Sequence, residues 1–259
     1  GGSREPRWAM TLVLGGGAVV PFAVLVALWA VTLRDAAALS EPPARPALTV
    51  EVVGWRWWWE VRYPDAGAVT ANEVHIPAGV PVRIRVLAGD VIHSFWVPEL
   101  GGKMDMIPGR VNDMWIQADE PGVYRGQCAE YCGLQHANMA FFVFAHPPDE
   151  FDRWLAAEAA DARAPSTALE ARGQEVFVNG PCAGCHTIRG VVEAGNLGPD
   201  LTHFGSRRWI GAGTVRNNLQ NLLAWIPRSD EIKPGNLMPP IPLSTEDLEA
   251  VAAYLLSLE

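Results

Sequence analysis

The sequence predicts a multi-domain chain with one transmembrane helix, an all-β sandwich or barrel behind it, and a C-terminal all-α domain. Three observations carry that prediction. Residues 8–33 contain no charged side chain and as a helix would cross a hydrocarbon core about 30 Å thick. From about 48 to 146, short β-branched and aromatic runs are separated by Gly, Pro and Asp turns, the pattern of an all-β sandwich or barrel. Beyond residue 168 the pattern becomes helical, with irregular Gly- and Pro-rich chain between the helices. The expected boundaries are 1–40 for the membrane segment, 41–146 for the β domain, 147–168 for a linker and 169–259 for the helical domain.

A chain of 259 residues has room for about two ordinary domains. With 49% hydrophobic and 19% charged residues it is not a disordered chain, and no internal repeat supports a solenoid. The net charge of −9 disfavours nucleic acid and favours a basic partner.

Within the span, Gly15, Gly16, Gly17 and Pro21 would spoil a helix in water but are tolerated where membrane helices pack closely. A membrane partner follows from that. The competing readings are a signal peptide, whose apolar core is usually shorter, and a buried helix of a soluble domain. Arg4 and Arg7 precede the span and Arg34 is followed by acidic chain, so the positive-inside tendency puts the bulk of the protein outside the cytoplasm. The Pro-rich stretch 41–46 reads as a stiff linker.

In the β region the clearest strands are expected at residues 48–53, 73–76, 80–86 and 140–144. A short helical pattern at 151–159 falls inside the expected linker. Helices are expected at about 168–178, 214–225 and 245–258, the last capped by Ser244 or Thr245 with Glu246 and Asp247 in its first turn.

The four cysteines form two local pairs. Cys182-Ala183-Gly184-Cys185-His186 is the C-x-x-C-H sequence that attaches c-type haem, two thiols for the vinyl groups and an imidazole for the iron. A thioredoxin-like dithiol would need a βαβ context that is absent, and a zinc site would need a second ligand pair nearby. For the sixth iron ligand the candidates are Met238, between Leu237 and Pro239-Pro240, and His203. Met238 is preferred because His/Met ligation raises the potential of an electron-transfer haem.

The second pair lies in Cys128-Ala129-Glu130-Tyr131-Cys132-Gly133-Leu134-Gln135-His136-Ala137-Asn138-Met139, with His93 upstream. Two His, one Cys and a weak Met on a β-sandwich describe mononuclear blue copper. With a second thiolate, Cys128 and Cys132 can bridge two coppers, with His93 and His136 terminal and Met139 and the Glu130 carbonyl as weak ligands. A disulfide and a zinc ion on the same Cys and His residues are the competing readings.

On these residues the chain resembles subunit II of caa3-type haem–copper cytochrome c oxidases, a cupredoxin-like copper A domain fused to a cytochrome c domain. The spacing Cys128-x3-Cys132-x3-His136-x2-Met139 is the most specific part of the likeness. The resemblance implies a magnesium shared with subunit I at the Glu130 carboxylate, a surface facing subunit I at residues 101–112, and an electron-accepting role for Trp57 within Trp55-Arg56-Trp57-Trp58-Trp59. It also implies a bacterial inner membrane, with both cofactor domains on the periplasmic side. Most members have two membrane helices here where one is visible, so either an N-terminal part of the subunit is missing, as the match at Glu130 favours, or the chain is a one-span variant like the ba3-type oxidases.

The implied function is to take electrons from a cytochrome donor through haem c and binuclear copper to haem in subunit I, where oxygen is reduced and protons are pumped. His75 and His146 are expected to be ordinary structural histidines. The alternatives are an electron-transfer subunit of a nitric oxide or nitrous oxide reductase, and a copper-binding or delivery protein, which would have little need for a haem.

Overall fold

A computed structural model describes residues 7–40, 42, 44–193 and 195–259. Arg4, Glu41 and Pro43 lie outside the described residues. The chain divides into two units, Gly1–Arg45 and Pro46–Glu259.

In the first unit, α1 (Arg7–Leu14) runs through a π-helical turn, Gly15–Val19, into α2 (Val20–Ser40). Trp8–Ala37 is long and apolar enough to cross a membrane, with a mean hydropathy of 2.3. The helix therefore extends beyond the uncharged stretch. Pro21 has no N–H to give the Gly17 carbonyl in an α-ladder, and the π turn stands just before it, with Val20 N–H donating to the Gly15 carbonyl.

The second unit opens with the strands of a sandwich. These are β1 (Leu48–Trp55), β2 (Trp58–Tyr63), β3 (Ala68–Ala71), β4 (Glu73–Pro77), β5 (Val82–Ala88), β6 (His93–Phe95), β7 (Met104–Met106), β8 (Asn112–Ile116), β9 (Gly122–Gln127) and β10 (Ala140–His146). One sheet has the order β3-β2-β1-β5-β8 and the other β4-β10-β9, while β6 and β7 form a separate ribbon. The β1–β5 and β4–β10 pairs are parallel and the remaining pairs antiparallel. Val50 and Val52 of β1 and Trp59, Val61 and Tyr63 of β2 point inward at every second position and are buried, as the period of a strand requires. Trp59 packs on Phe141 and, edge-on, on Phe95 at the centre of this core.

Helix α3 (Pro148–Glu158) lies within the expected linker but belongs to the sandwich. Phe151 is buried in the core and Trp154 packs edge-on against Tyr63. Pro148 starts the helix, and Asp149 and Glu150 in its first turn suit the positive helix end. Only residues 159–167 are left as an irregular connection.

Three helices build the last part, α4 (Ala168–Asn179), α5 (Leu219–Ile232) and α6 (Thr245–Ser257), with the small ribbon β11 (Trp209–Ile210) and β12 (Val215–Arg216) before α5. Thr167, Asn218 and Ser244 cap the three helices through their side chains. The helix expected from 214 begins instead at 219, because Asn218 caps there and residues 215–216 pair with β11. Gly173 lets α4 approach α6 so closely that a side chain would meet the Ala250 carbonyl.

The two domains of this unit share a seam. Trp209 stacks on Phe142 of β10 with ring centres 3.7 Å apart. The Arg208 guanidinium covers Phe144, and its backbone N–H donates to Glu73 at 2.8 Å. Ala140 N–H donates to the Ala212 carbonyl at 3.1 Å. The two domains are thus docked on one another along this seam.

Candidate copper and haem centres

His93 stands on β6, whose pairing with β7 fixes the ring beneath β1. Gly54 makes room for it, since a side chain there would come within 2.9 Å of the imidazole. The ring is fully buried, and its Nε2 lies 2.9 Å from the Asp90 carboxylate, so Nδ1 is turned toward Cys128 at 3.9 Å. Cys128 follows directly on β9, and Cys132, His136 and Met139 lie further along the loop to β10.

The sulfur atoms of Cys128 and Cys132 are 3.8 Å apart, nearly twice the ~2.05 Å of a disulfide. The Cys132 sulfur also lies 3.7 Å from His136 Nδ1 and 3.7 Å from the Met139 sulfur. The Glu130 carbonyl is 3.2 Å from the Cys128 sulfur. The structure thus brings together all six groups singled out in the sequence for this centre. His93, Cys128 and Cys132 alone place three donor atoms within 4.8 Å of one another.

The two thiols titrate as a pair. Cys128 is drawn down to about 3, chiefly by the hydrogen bond from Cys132, whereas the Cys132 thiol is pushed up because Cys128 holds its proton. One thiolate is thus available without a metal, and a cation between the sulfurs would favour the second. Burial alone would lower the pKa of His93, but its bonds to Asp90 and Cys128 outweigh that and raise it.

The Glu130 carboxylate turns outward and faces Lys103 at 3.8 Å, both side chains about half exposed. Trp57 is half-buried beside the loop, its indole N–H donating to the Cys132 carbonyl at 3.0 Å.

In the helical domain, Cys182 sits in a 3-10 turn, Pro181–Gly184, which Cys185 and His186 close by donating their N–H groups to the Cys182 carbonyl. His186 Nδ1 is 2.7 Å from the Pro199 carbonyl, so that nitrogen carries the proton and Nε2 keeps its lone pair for a metal. Burial lowers the pKa of His186, which favours the same neutral form. Met238 borders the same apolar core as Cys182, and its sulfur accepts the Trp225 indole N–H at 3.3 Å. His203 is buried, with Nε2 bonded to the Ala160 carbonyl at 3.0 Å.

Residues 68–145 match the family described as cytochrome C oxidase subunit II, periplasmic domain, and residues 170–259 match cytochrome c. Cytochrome c oxidase subunit 2 of Alkalihalophilus pseudofirmus is 41% identical over 247 residues, covering 93% of this chain and 71% of that protein. The chain belongs to the cytochrome c oxidase subunit 2 family. The Bacillus subtilis member is 32% identical over 96% of this chain and 72% of its own length. Among solved structures, the periplasmic domain of subunit II of cytochrome oxidase of Bradyrhizobium japonicum is 32% identical, covers 44% of this chain and 95% of its own, and has a TM-score of 0.43. Together the two matched families imply copper in the sandwich and haem c in the helical domain.

Several residues that shape these centres of the subunit 2 chain carry no motif. Gly54, Pro199 and Gln135 act through backbone approach or contacts distant in sequence. Gln135 donates to the Pro234 carbonyl across the seam at 2.6 Å. Lys233, 2% exposed, donates to the carbonyls of Trp57, Asn138 and Gly211, and burial draws its pKa down to about 7. Asp90 was within reach of sequence reasoning, three residues before His93 on one tight turn.

Proposed function

We propose that this chain receives electrons for a respiratory terminal oxidase of a bacterial inner membrane, with residues 46–259 on the periplasmic side. His93, Cys128, the Glu130 carbonyl, Cys132, His136 and Met139 hold a binuclear copper centre. Cys182 and Cys185 hold haem c covalently, with His186 and Met238 as axial ligands. When bound, these groups supply reversible one-electron chemistry. Oxygen reduction and proton pumping belong to subunit I, and a cytochrome is the donor.

The observation that carries the reading is the convergence of two separated sulfurs, two Nδ1 atoms, a thioether and a carbonyl in one buried loop cluster. Zinc in a structural site takes four ligands in a closed tetrahedron, whereas the added thioether and carbonyl suit copper. Asp90 and Pro199 hold the two imidazoles in the tautomer a metal needs. The engaged Nε2 of His203 favours Met238 at the haem. The outward Glu130 carboxylate supports a magnesium shared with subunit I, on the surface that includes residues 101–112. Trp57, bonded to Cys132 on one side and to Lys233 on the other, carries electrons toward the copper loop. The proposed domains are 41–158 for copper, a connection at 159–167, and 168–259 for haem.

The test is metal and haem analysis of the full chain with optical and paramagnetic resonance spectra. Two coppers sharing one unpaired electron, and one covalent haem, are expected. A single-copper spectrum, bound zinc, or cysteines linked to one another would overturn the assignment.

A further inference from the structure

Arginine supplies eighteen of this chain's twenty cationic side chains, and lysine only two, Lys103 and Lys233. Lys103 is on the surface. Lys233 is buried at the seam, where a planar guanidinium would be a poor substitute. Its ammonium donates to three carbonyls at 2.7–3.0 Å, those of Gly211 in the helical domain and of Trp57 and Asn138 in the sandwich. A compact ammonium with three rotatable donors matches three converging acceptors.

The position of this lysine in the chain gives the contact its meaning. Lys233 ends α5 and begins the segment that reaches Met238 five residues later. That segment is tied down on both sides of the seam. Within the helical domain, Ser229 donates to the Met238 carbonyl at 2.8 Å and Asn236 accepts the Met238 N–H. Across the seam, Gln135 donates to the Pro234 carbonyl at 2.6 Å, and Gly235 lies against Leu134 so closely that a side chain would meet its methyl group. Gln135 precedes His136, and Asn138 precedes Met139. The segment presenting the proposed haem thioether is therefore bonded to the loop presenting three of the copper donors.

We propose that Lys233 is a positioning residue whose ammonium latches the 233–238 segment onto the 132–139 loop, fixing the spacing of the two redox centres. The proposal rests on the copper and haem reading above. The aromatic stack and Arg208 contacts hold the domains together elsewhere on the seam, whereas Lys233 sets the register where the two ligand segments touch. A haem domain held this way is not a tethered carrier that swings between donor and copper.

The test uses the full chain in detergent. Amine-directed acylation followed by mass spectrometry reads the latch directly, because Lys103 and Lys233 are the only lysines. Lys233 is expected to react about a hundredfold more slowly than Lys103 or slower still, as a site exposed only by local opening; equal rates overturn the proposal. In Lys233→Met, with copper and haem content as in the parent, pulsed paramagnetic resonance should show the haem-to-copper distance distribution broaden. Electron transfer from flash-reduced haem to copper should slow by about tenfold or more, as expected when a buried ammonium's hydrogen bonds are lost. An unchanged distribution and rate with only a lower melting temperature would make Lys233 a stabilising residue and sink the latch. Should Lys233→Met fail to fold, Gln135→Leu removes the neighbouring bond and is read by the same distribution. Absence of copper or haem from the parent chain overturns the underlying reading instead, and metal analysis separates that result from failure of the latch.

Discussion

The Asp90 carboxylate lies 2.9 Å from Nε2 of His93, and the opposite ring nitrogen is therefore the one that faces Cys128. The carboxylate also accepts the backbone N–H groups of Val91 and Arg56, so it is held while it holds the ring. Replacing Asp90 with Asn keeps the shape but removes the charge that favours the Nε2–H tautomer. Outer partners of metal-bound histidines typically contribute about 10–100-fold to affinity. Copper affinity of Asp90→Asn, measured by competition with a chelator, is expected to fall by that order while the fold melts within a few degrees of the parent. An unchanged affinity would mean the ring is oriented by Gly54 and β6 packing alone.

Much of this site was legible because its chemistry is local in sequence. Four of the copper donors and the Glu130 carbonyl fall within twelve residues, and the haem thiols and His186 within five. The strands were legible for a similar reason: the β-branched and aromatic runs of β1 and β10 are a local pattern, and most of their residues beyond the first two of β1 are buried. The seam was not. Nothing in Trp209 or Phe142 distinguishes a stacked pair from two core aromatics, and Lys233 looks like a solvated helix end until Gly211, Trp57 and Asn138 are brought around it. The helical pattern of α3 was legible, but its place in the sandwich was not, because Trp154 finds its partners, Tyr63 and His75, on the distant strands β2 and β4.

Gly198 is expected to be intolerant of any side chain. A Cβ there would lie 2.6 Å from Cε1 of His186, and the ring cannot retreat without breaking its bond to the Pro199 carbonyl. Overpacking of this kind costs about 1–3 kcal/mol. Gly198→Ala should therefore retain covalent haem on Cys182 and Cys185 but lose part of its six-coordinate, low-spin spectrum. A normal spectrum in this variant would show that the 195–199 turn yields more easily than its contacts imply.

The Trp209–Phe142 stack, with planes inclined by only 7°, is an apolar contact of the seam described above. Truncating a large buried aromatic costs about 3–5 kcal/mol, less where part of the ring is open to solvent as here. In Trp209→Ala the sandwich should keep its core around Trp59 and Phe141 and the helical domain its own. The expected result in calorimetry is therefore that a joint unfolding transition separates into two, with the helical domain melting first. A single transition shifted as a whole would mean that the remaining seam contacts keep the domains cooperative.

His75 and His146 supply a pH dependence at the same seam. Their ring nitrogens are 2.8 Å apart, one donating and one accepting, and Trp154 stacks on His75 at 3.9 Å. Around them stand Glu73 on β4, Glu150 on α3, and Arg207 and Arg208 before β11. Burial, then His75, lowers the pKa of His146 to about 4, and burial lowers that of His75. In the unfolded chain both titrate near 6.5. Between pH 6.5 and 4 the unfolded state thus binds protons that the folded state refuses, so stability is complete above 6.5, falls as pH drops toward 4, and levels below. Discounted for the partial exposure of His146, the loss attributable to that ring is about 1–2 kcal/mol. His146→Gln can keep a hydrogen bond to His75 without taking up a proton. Its melting temperature should fall less steeply than the parent's from pH 6.5 to 4, by several degrees in total. Parallel curves for the two proteins would mean that protonation of His146 contributes nothing to the acid sensitivity of the seam.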